Sequence, residues 1–351
     1  MSRIIFILSF SLLSCLAKGQ DVFYTQFHYA PLYLNPAFAG CGKNNLRLSA
    51  VSKYQWFNLY KPFKHVSAAA DLSVYDDFLK NIVNLGLTVD HSSKGYLNNT
   101  NISGILGRSF GTSNSGCSNW YLSAAIKAGF NFGRVNPDEF LFIDQLDQTG
   151  ITGNPSQIDL FTANNSKAFF DMSTGALMTW ENFMFGFSVH HLNEPNTSFV
   201  GKPEDGRLAR KYTGHISWML NRADINIKPT AIVQLQGKSS LFTAGAMIDF
   251  VEFPIAFNVW YRNNTSLSNT NAFCVGFTWK WGVSNTVTSM RKEYGSKLGI
   301  SYDGELTKPG IRTTHGSLEL GVQRDIIIGD NSKCPTATSG MCTYRFPWEF
   351  F

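Results

Sequence analysis

His190 and His191 are the first residues in this 351-residue chain to invite a chemical reading, because imidazole pairs bind metals. On a strand, however, neighbouring side chains point to opposite faces, so such a pair cannot close on one ion. The other histidines, His28, His65, His91, His215 and His315, show no ligand spacing. Cys41, Cys117 and Cys274 are too scattered for any zinc pattern. Cys334 and Cys342 lie close together in a polar tail, where an oxidising compartment would allow a disulfide. Free or mixed thiols are the alternative reading of that pair. No Ser-His-Asp order, phosphate loop or deaminase signature stands out. We therefore expect no catalytic residue, no metal and no cofactor, and a protein that is not an enzyme.

The elements that would position such residues are strands. The chain is 14% aromatic and 16% charged, yet its mean hydropathy is only -0.10. No apolar run reaches the roughly 18 residues that a membrane helix requires. Apolar residues instead alternate with small or polar ones. Phe183, Phe185, Phe187, Val189 and His191 fall on one face, with Met184, Gly186, Ser188 and His190 on the other. Ile225, Ile227, Pro229, Ala231, Val233 and Leu235 oppose Asn226, Lys228, Thr230 and Gln234, with Ile232 the exception on the polar side. Phe273, Val275, Phe277, Trp279 and Trp281 oppose Cys274, Gly276, Thr278 and Lys280. Leu318, Leu320 and Val322 oppose Ser317, Glu319, Gly321 and Gln323. A slip of one residue would reverse every face, so these patterns specify orientation strongly.

Read this way, residues 44–327 hold about fourteen strands, an even number as bacterial outer-membrane barrels have. They are expected near 44–56, 64–75, 82–92, 100–111, 118–132, 168–180, 183–192, 210–220, 224–236, 239–250, 253–263, 271–282, 296–303 and 315–327. Pro229 conflicts locally with its strand and predicts a bulge or a strand end. Residues 133–167 and 193–209 are long polar connections, whereas those at Glu181-Asn182 and Asn221 to Ala223 are tight. If residue 44 enters from the periplasm, both long connections fall outside the cell, as in outer-membrane barrels. A soluble sandwich also alternates, but it tends to set bulky residues inside and charged ones outside. Here Phe and Trp crowd one face and charge is sparse on both. Polar inner residues such as Glu319, Gln323 and Lys280 would either line a channel or bond one another and fill the interior.

The N-terminus reads as an export signal. Arg3 supplies positive charge, Ile4 to Leu13 a short apolar core, and Ala17-Lys18-Gly19 a small-x-small cleavage site. A lipoprotein signal ending at Cys15 fits less well because Leu13 is bulky. The formal charge is +5; losing Arg3 and Lys18 leaves 28 basic and 25 acidic residues, too mild an excess to imply nucleic acid.

Residues 24–40, Tyr-Thr-Gln-Phe-His-Tyr-Ala-Pro-Leu-Tyr-Leu-Asn-Pro-Ala-Phe-Ala-Gly, resemble the start of the PorP/SprF family, outer-membrane components associated with type IX secretion and gliding motility in Bacteroidetes. His190-His191-Leu192-Asn193-Glu194-Pro195-Asn196, Trp260-Tyr261-Arg262, Ser301-Tyr302-Asp303 and Gly316-Ser317-Leu318-Glu319 continue the resemblance in order. Leu318 stands where the family is expected to carry histidine; alternation puts it on the lipid face, where leucine is comfortable. The tail from Cys334 to Phe351 has no good match. Pro347 interrupts it, although Phe351 resembles the closing residue of many such barrels. The resemblance implies structural roles for Asn35, Pro36, Asn193, Pro195, Asp303 and Glu319. Asn35-Pro36 itself favours a turn.

The expectation is an all-β transmembrane antiparallel barrel. Residues 1–19 are a signal peptide cleaved after Gly19. Residues 20–43 plug the barrel or lie along its periplasmic rim, 44–327 form the barrel, and 328–351 a periplasmic extension. The resemblance implies a type IX component that docks or anchors secreted cargo, such as a surface adhesin, and contacts periplasmic machinery and outer-membrane lipid. A passive porin or solute channel is the alternative.

Overall fold

The computed structural model describes residues 21–42, 46–76, 81–110, 120–136, 143–147, 150–152, 165–199, 206–264, 270–283, 294–307, 310–326 and 350. Fourteen antiparallel strands form one closed barrel. They are β1 (Leu46–Gln55), β2 (Phe63–Asp76), β3 (Asn81–Lys94), β4 (Leu97–Phe110), β5 (Trp120–Val135), β6 (Ser166–Trp180) and β7 (Phe183–His190). The second half comprises β8 (Lys211–Trp218), β9 (Ile225–Gln236), β10 (Ser239–Phe250), β11 (Ile255–Asn264), β12 (Thr270–Val283), β13 (Tyr294–Glu305) and β14 (Ser317–Ile326). Each strand pairs with its neighbours in sequence, and β1 pairs with β14 to close the cylinder. Closure leaves no unpaired edge, which a strand structure in lipid requires. No helix among the described residues is long and apolar enough to cross a membrane.

Alternation explains why these segments are strands and how they face. In β14 the outward residues Leu318, Leu320 and Val322 are exposed, while Glu319 is fully buried. In β12, Val275, Phe277 and Trp279 face out and Cys274 and Thr278 face in. The lipid face is therefore a continuous apolar band. Trp120, Trp180, Trp218, Trp279 and Trp281 lie on its exposed surface at the end where the Glu181-Asn182 turn joins β6 to β7, the placement of an interfacial aromatic belt.

Two local expectations are corrected. Pro229 makes neither a bulge nor a strand end: β9 runs through it in register with β10, opposite Ala246. The cost falls on the other side. Pairing with β8 stops after Ser217↔Thr230 and resumes in the same register at Leu220↔Ile227. Proline has no N–H to donate across to Trp218, while on the other side of β8 the Met219 N–H continues the β7 register to the Asn182 carbonyl at 2.8 Å. The second correction concerns His191, which does not lie on the lipid face with Phe187 and Val189. The strand ends at His190, and His191 takes a left-handed φ of 58° that returns its ring to the lumen.

Candidate functional site: the occupied lumen

The interior of the barrel is filled by the N-terminal segment. Residues 21–42 carry three short helical turns, Phe27–Tyr29, Pro31–Leu34 and Pro36–Phe38, and Tyr24 to Ala39 are almost all buried. Proline begins the second and third turns, where its missing N–H costs nothing. Asn35 is extended (φ -153°) and caps the third turn, its Oδ1 accepting from the Ala37 N–H at 2.9 Å. Its Nδ2 donates outward to the carbonyls of Ala176 on β6, at 3.0 Å, and Phe187 on β7, at 3.3 Å. Asn35 thus shapes the segment and ties it to the wall with one side chain. The wall makes room for it: a Cβ on Gly175 would collide with Asn35 Oδ1.

A buried four-charge cluster holds the next stretch. Lys53 on β1 lies 2.8 Å from Glu319 on β14 and 3.2 Å from Asp303 on β13. Arg262 on β11 approaches the same Asp303 oxygen at 3.2 Å. Two cations and two carboxylates balance, as buried charges must. The cluster also grips the lumen segment. Glu319 accepts from the backbone N–H groups of Thr25 and Gln26, both at 2.8 Å, supplying acceptors at the start of the first helical turn. The Thr25 hydroxyl donates to Asp303 at 2.6 Å, and Lys53 donates to the Phe23 carbonyl at 2.9 Å. Gln26 Nε2 reaches Ser301 Oγ at 3.0 Å.

A second pair holds the other end of the segment. Arg47 meets Asp71 through two nitrogens, at 2.9 and 3.0 Å, and donates to the Phe38 carbonyl at 2.8 Å. Asp71 in turn accepts from the Gly40 N–H at 2.8 Å. Cys41 lies 3.3 Å from the Tyr121 hydroxyl, and burial pushes its thiol up to about 11. Phe350 belongs to the same buried apolar cluster as Phe27, Phe38 and Met184.

The third anchor is at Asp21. Its carboxylate lies 2.7 Å from Lys211 and 2.9 Å from His191 Nε2, while His191 Nδ1 meets Asp171 at 2.8 Å. Both ring nitrogens face carboxylates, so the ring is doubly protonated. Burial opposes that charge, but the two carboxylates outweigh it and raise His191 to about 9. Asp21 is held well below the ordinary carboxylate range, because Lys211 and His191 overcome its desolvation. For a raised histidine, the stabilisation is complete below its unfolded value near 6.5 and is lost as pH rises through about 9. The full contribution is about 3 kcal/mol. The Asp21 contribution is lost only in acid, as pH falls below its unfolded value of 3.8. We therefore expect backbone hydrogen exchange at Val22 and Phe23, corrected for its intrinsic pH dependence, to accelerate between pH 7 and 9.5. In His191→Gln the corrected rates should be nearly flat over that range; a wild-type response as flat as the variant's would refute the assignment.

Of the residues singled out in the sequence, Asp303 and Glu319 converge on Thr25 and Gln26. Asn35 and Pro36 lie further along the lumen segment. Asn193 sits elsewhere, its side chain bonding Met172 N and Phe170 O so as to extend the β6 ladder beyond the end of β7. Pro195 is buried, and its carbonyl accepts from Leu208 N–H at 3.0 Å, closing the base of the connection between β7 and β8. Cys334 and Cys342 lie outside the described residues. Lys53, Arg47, Asp71 and Asp21 were not singled out. Their signal was a charge on the polar face of an alternating strand, or, for Asp21, beside an aromatic segment. Among the described residues, no three His, Cys, Asp or Glu side chains are grouped to hold a metal.

The fold is shared with a solved channel. The CymD monoaromatic hydrocarbon channel superposes with a TM-score of 0.52 at 8% identity, covering 90% of this chain and 97% of that one. A mutant of the TodX monoaromatic hydrocarbon channel gives 0.45 at 10% identity, over 84% and 92% of the two chains. At such identities the likeness is one of fold. No curated protein matches the sequence. The family described as "Type IX secretion system membrane protein PorP/SprF" matches residues 16–323, which span the lumen segment, every anchor described above and nearly the whole barrel. This chain, with its first and last matched motifs joined through Thr25, Gln26, Asp303 and Glu319, belongs to the PorP/SprF family.

Proposed function

We propose that this protein is a docking component of type IX secretion: it anchors an exported protein, such as a surface adhesin, at the outer membrane and contacts the periplasmic machinery. Family membership supplies the system, and the occupied lumen carries the choice of role. A passive porin needs a water-filled path. Here Tyr29, Leu32, Phe38 and Trp260 are all buried across the interior, and three ionic anchors fix the segment that fills it. The protein thus works through the surfaces it presents, without a catalytic step. Removal of the signal after Gly19 leaves Gln20 as the first residue, next to the Asp21 anchor. The periplasmic extension read for residues 328–351 lies outside the described residues except at Phe350, which is buried beside the lumen segment.

Gene deletion should abolish surface display of at least one type IX cargo, measured by protease shaving of intact cells, while total synthesis of that cargo is unchanged. Crosslinking in intact cells should join the protein to that cargo. Normal display of every type IX cargo would refute the role. Steady conductance of the reconstituted wild-type protein would favour the porin.

A further inference from the structure

The membrane-facing surface of β2 to β5 changes from apolar to polar at one level. On β5 every outward residue from Trp120 to Phe132 is apolar, and the exposed Arg134 is the first charge beyond them. On β2 the outward residues from Val74 to Val66 are apolar, and the exposed Lys64 comes next. Both cations lie toward the end that carries the long connections, which faces away from the periplasm in this class of barrel. They therefore stand where the apolar band gives way to the head groups of the outer leaflet.

Register makes these residues one row. Lys64 is opposite Ser93 on β3, Ser93 opposite Asn98 on β4, and Asn98 opposite Arg134 on β5. Neighbouring strands lie about 4.8 Å apart, so three steps separate the two cations by about 14 Å. A hydroxyl and an amide stand between them. Tyr54 on β1 is opposite Lys64 on its other side, with the ring 5.2 Å from the ammonium. Among the described residues Lys64 and Arg134 have no carboxylate partner, and no aspartate or glutamate shares this face in the outer half of β2 to β5. Near the outer ends of β8, β9 and β10 the outward residues are Tyr212, Leu235 and Phe242, which carry no charge. The positive charge is thus confined to one side of the barrel.

Cations at this depth lay their stems along apolar surface and hold their charged ends among the head groups. Phosphate is the anion available there, and it bonds strongly to both lysine and arginine. A lipid with a single phosphate meets only one end of the row. A head group with a phosphate at each end of a sugar pair meets both. Its ring substituents then fall on Ser93 and Asn98, and its acyl chains on the apolar band beneath.

We propose that this row binds a diphosphorylated glycolipid of the outer leaflet, of the lipid A class. The site adds to the docking role and does not depend on it, since it is tested on purified protein without cargo.

The test uses the full chain, delipidated in detergent and titrated with diphosphoryl lipid A, monophosphoryl lipid A and phosphatidylglycerol by native mass spectrometry. Diphosphoryl lipid A should bind saturably, and the other two about tenfold more weakly or worse. Lys64→Gln and Arg134→Gln should each weaken diphosphoryl lipid A about tenfold. Either variant should then bind the two lipid A forms about equally, because one phosphate suffices for the cation that remains. Lys238→Gln, at the exposed turn between β9 and β10, should change nothing. Heat-modifiable gel mobility, which reports the closed barrel, should match the wild type in all three variants. Absence of saturable lipid A binding, indifference to both row substitutions, or an equal loss in Lys238→Gln would overturn the proposal. Equal binding of phosphatidylglycerol would overturn it in favour of a general preference for anionic lipid, and displacement of lipid A by inorganic phosphate in favour of a phosphate site.

Discussion

Replacing Glu319 by alanine should loosen the lumen segment and lower the stability of the folded barrel by about 3–5 kcal/mol. The carboxylate meets three groups: the Lys53 ammonium and the Thr25 and Gln26 N–H groups, each at 2.8 Å. Removing it leaves two cations, Lys53 and Arg262, facing the single carboxylate of Asp303. It also strands two backbone donors, at about 1–3 kcal/mol each when buried. Glu319 is fully buried, so bulk water does not replace the lost oxygens without displacing the segment. Glu319→Gln keeps one acceptor and should lose about half as much. The measurement is the denaturant midpoint of the heat-modifiable band, together with current through a planar bilayer. Brief openings should appear in the alanine variant and be rarer in the glutamine variant. An unchanged midpoint with a silent bilayer would show that the cluster does not hold the segment.

The strands were legible because lipid on one side and a polar filling on the other force period-2 alternation on every one. All fourteen appear close to their expected positions, and Ser239–Phe250 coincides with its expected range. His191 was misplaced because alternation was carried one residue too far. A chain leaving a strand through a left-handed residue abandons the pleat, and no flanking glycine marks the position. Pro229 was misjudged for a different reason. A proline disrupts the ladder on only one side of a strand, and sequence does not say which neighbour loses the bond. The ion cluster was the least legible part. Asp303 entered through resemblance alone and Glu319 also as an inward polar residue of an alternating strand, but their partner Lys53 lies 266 residues from Glu319. Such a contact comes from barrel closure between β1 and β14, and no local pattern encodes it.

Deleting residues 21–42 should give the larger functional change: a barrel that still closes but conducts ions. The wall does not use the segment for its ladder. Each strand is paired on both sides by another strand, including β1 with β14 and β8 with β9. Backbone bonds of the segment run largely within itself, as from Tyr29 N to Gln26 O and from Asn35 N to Pro31 O. Side chains therefore do most of the joining of the two parts, through Asn35, Thr25 and Asp21 on one side and Glu319, Arg47 and Lys211 on the other. Without the segment, Lys53, Arg47, Asp71 and Glu319 would face a wet lumen, where water can solvate them. This is why complete removal is less damaging to closure than a single unmatched buried charge. The deletion variant should keep its heat-modifiable band at a reduced transition temperature. It should also show steady conductance where the wild type is closed. Failure to fold at all would show that the segment templates closure of β1 on β14. A folded, silent barrel would show that the wall itself occludes the lumen, and would remove the main argument that this protein is built to dock and not to conduct.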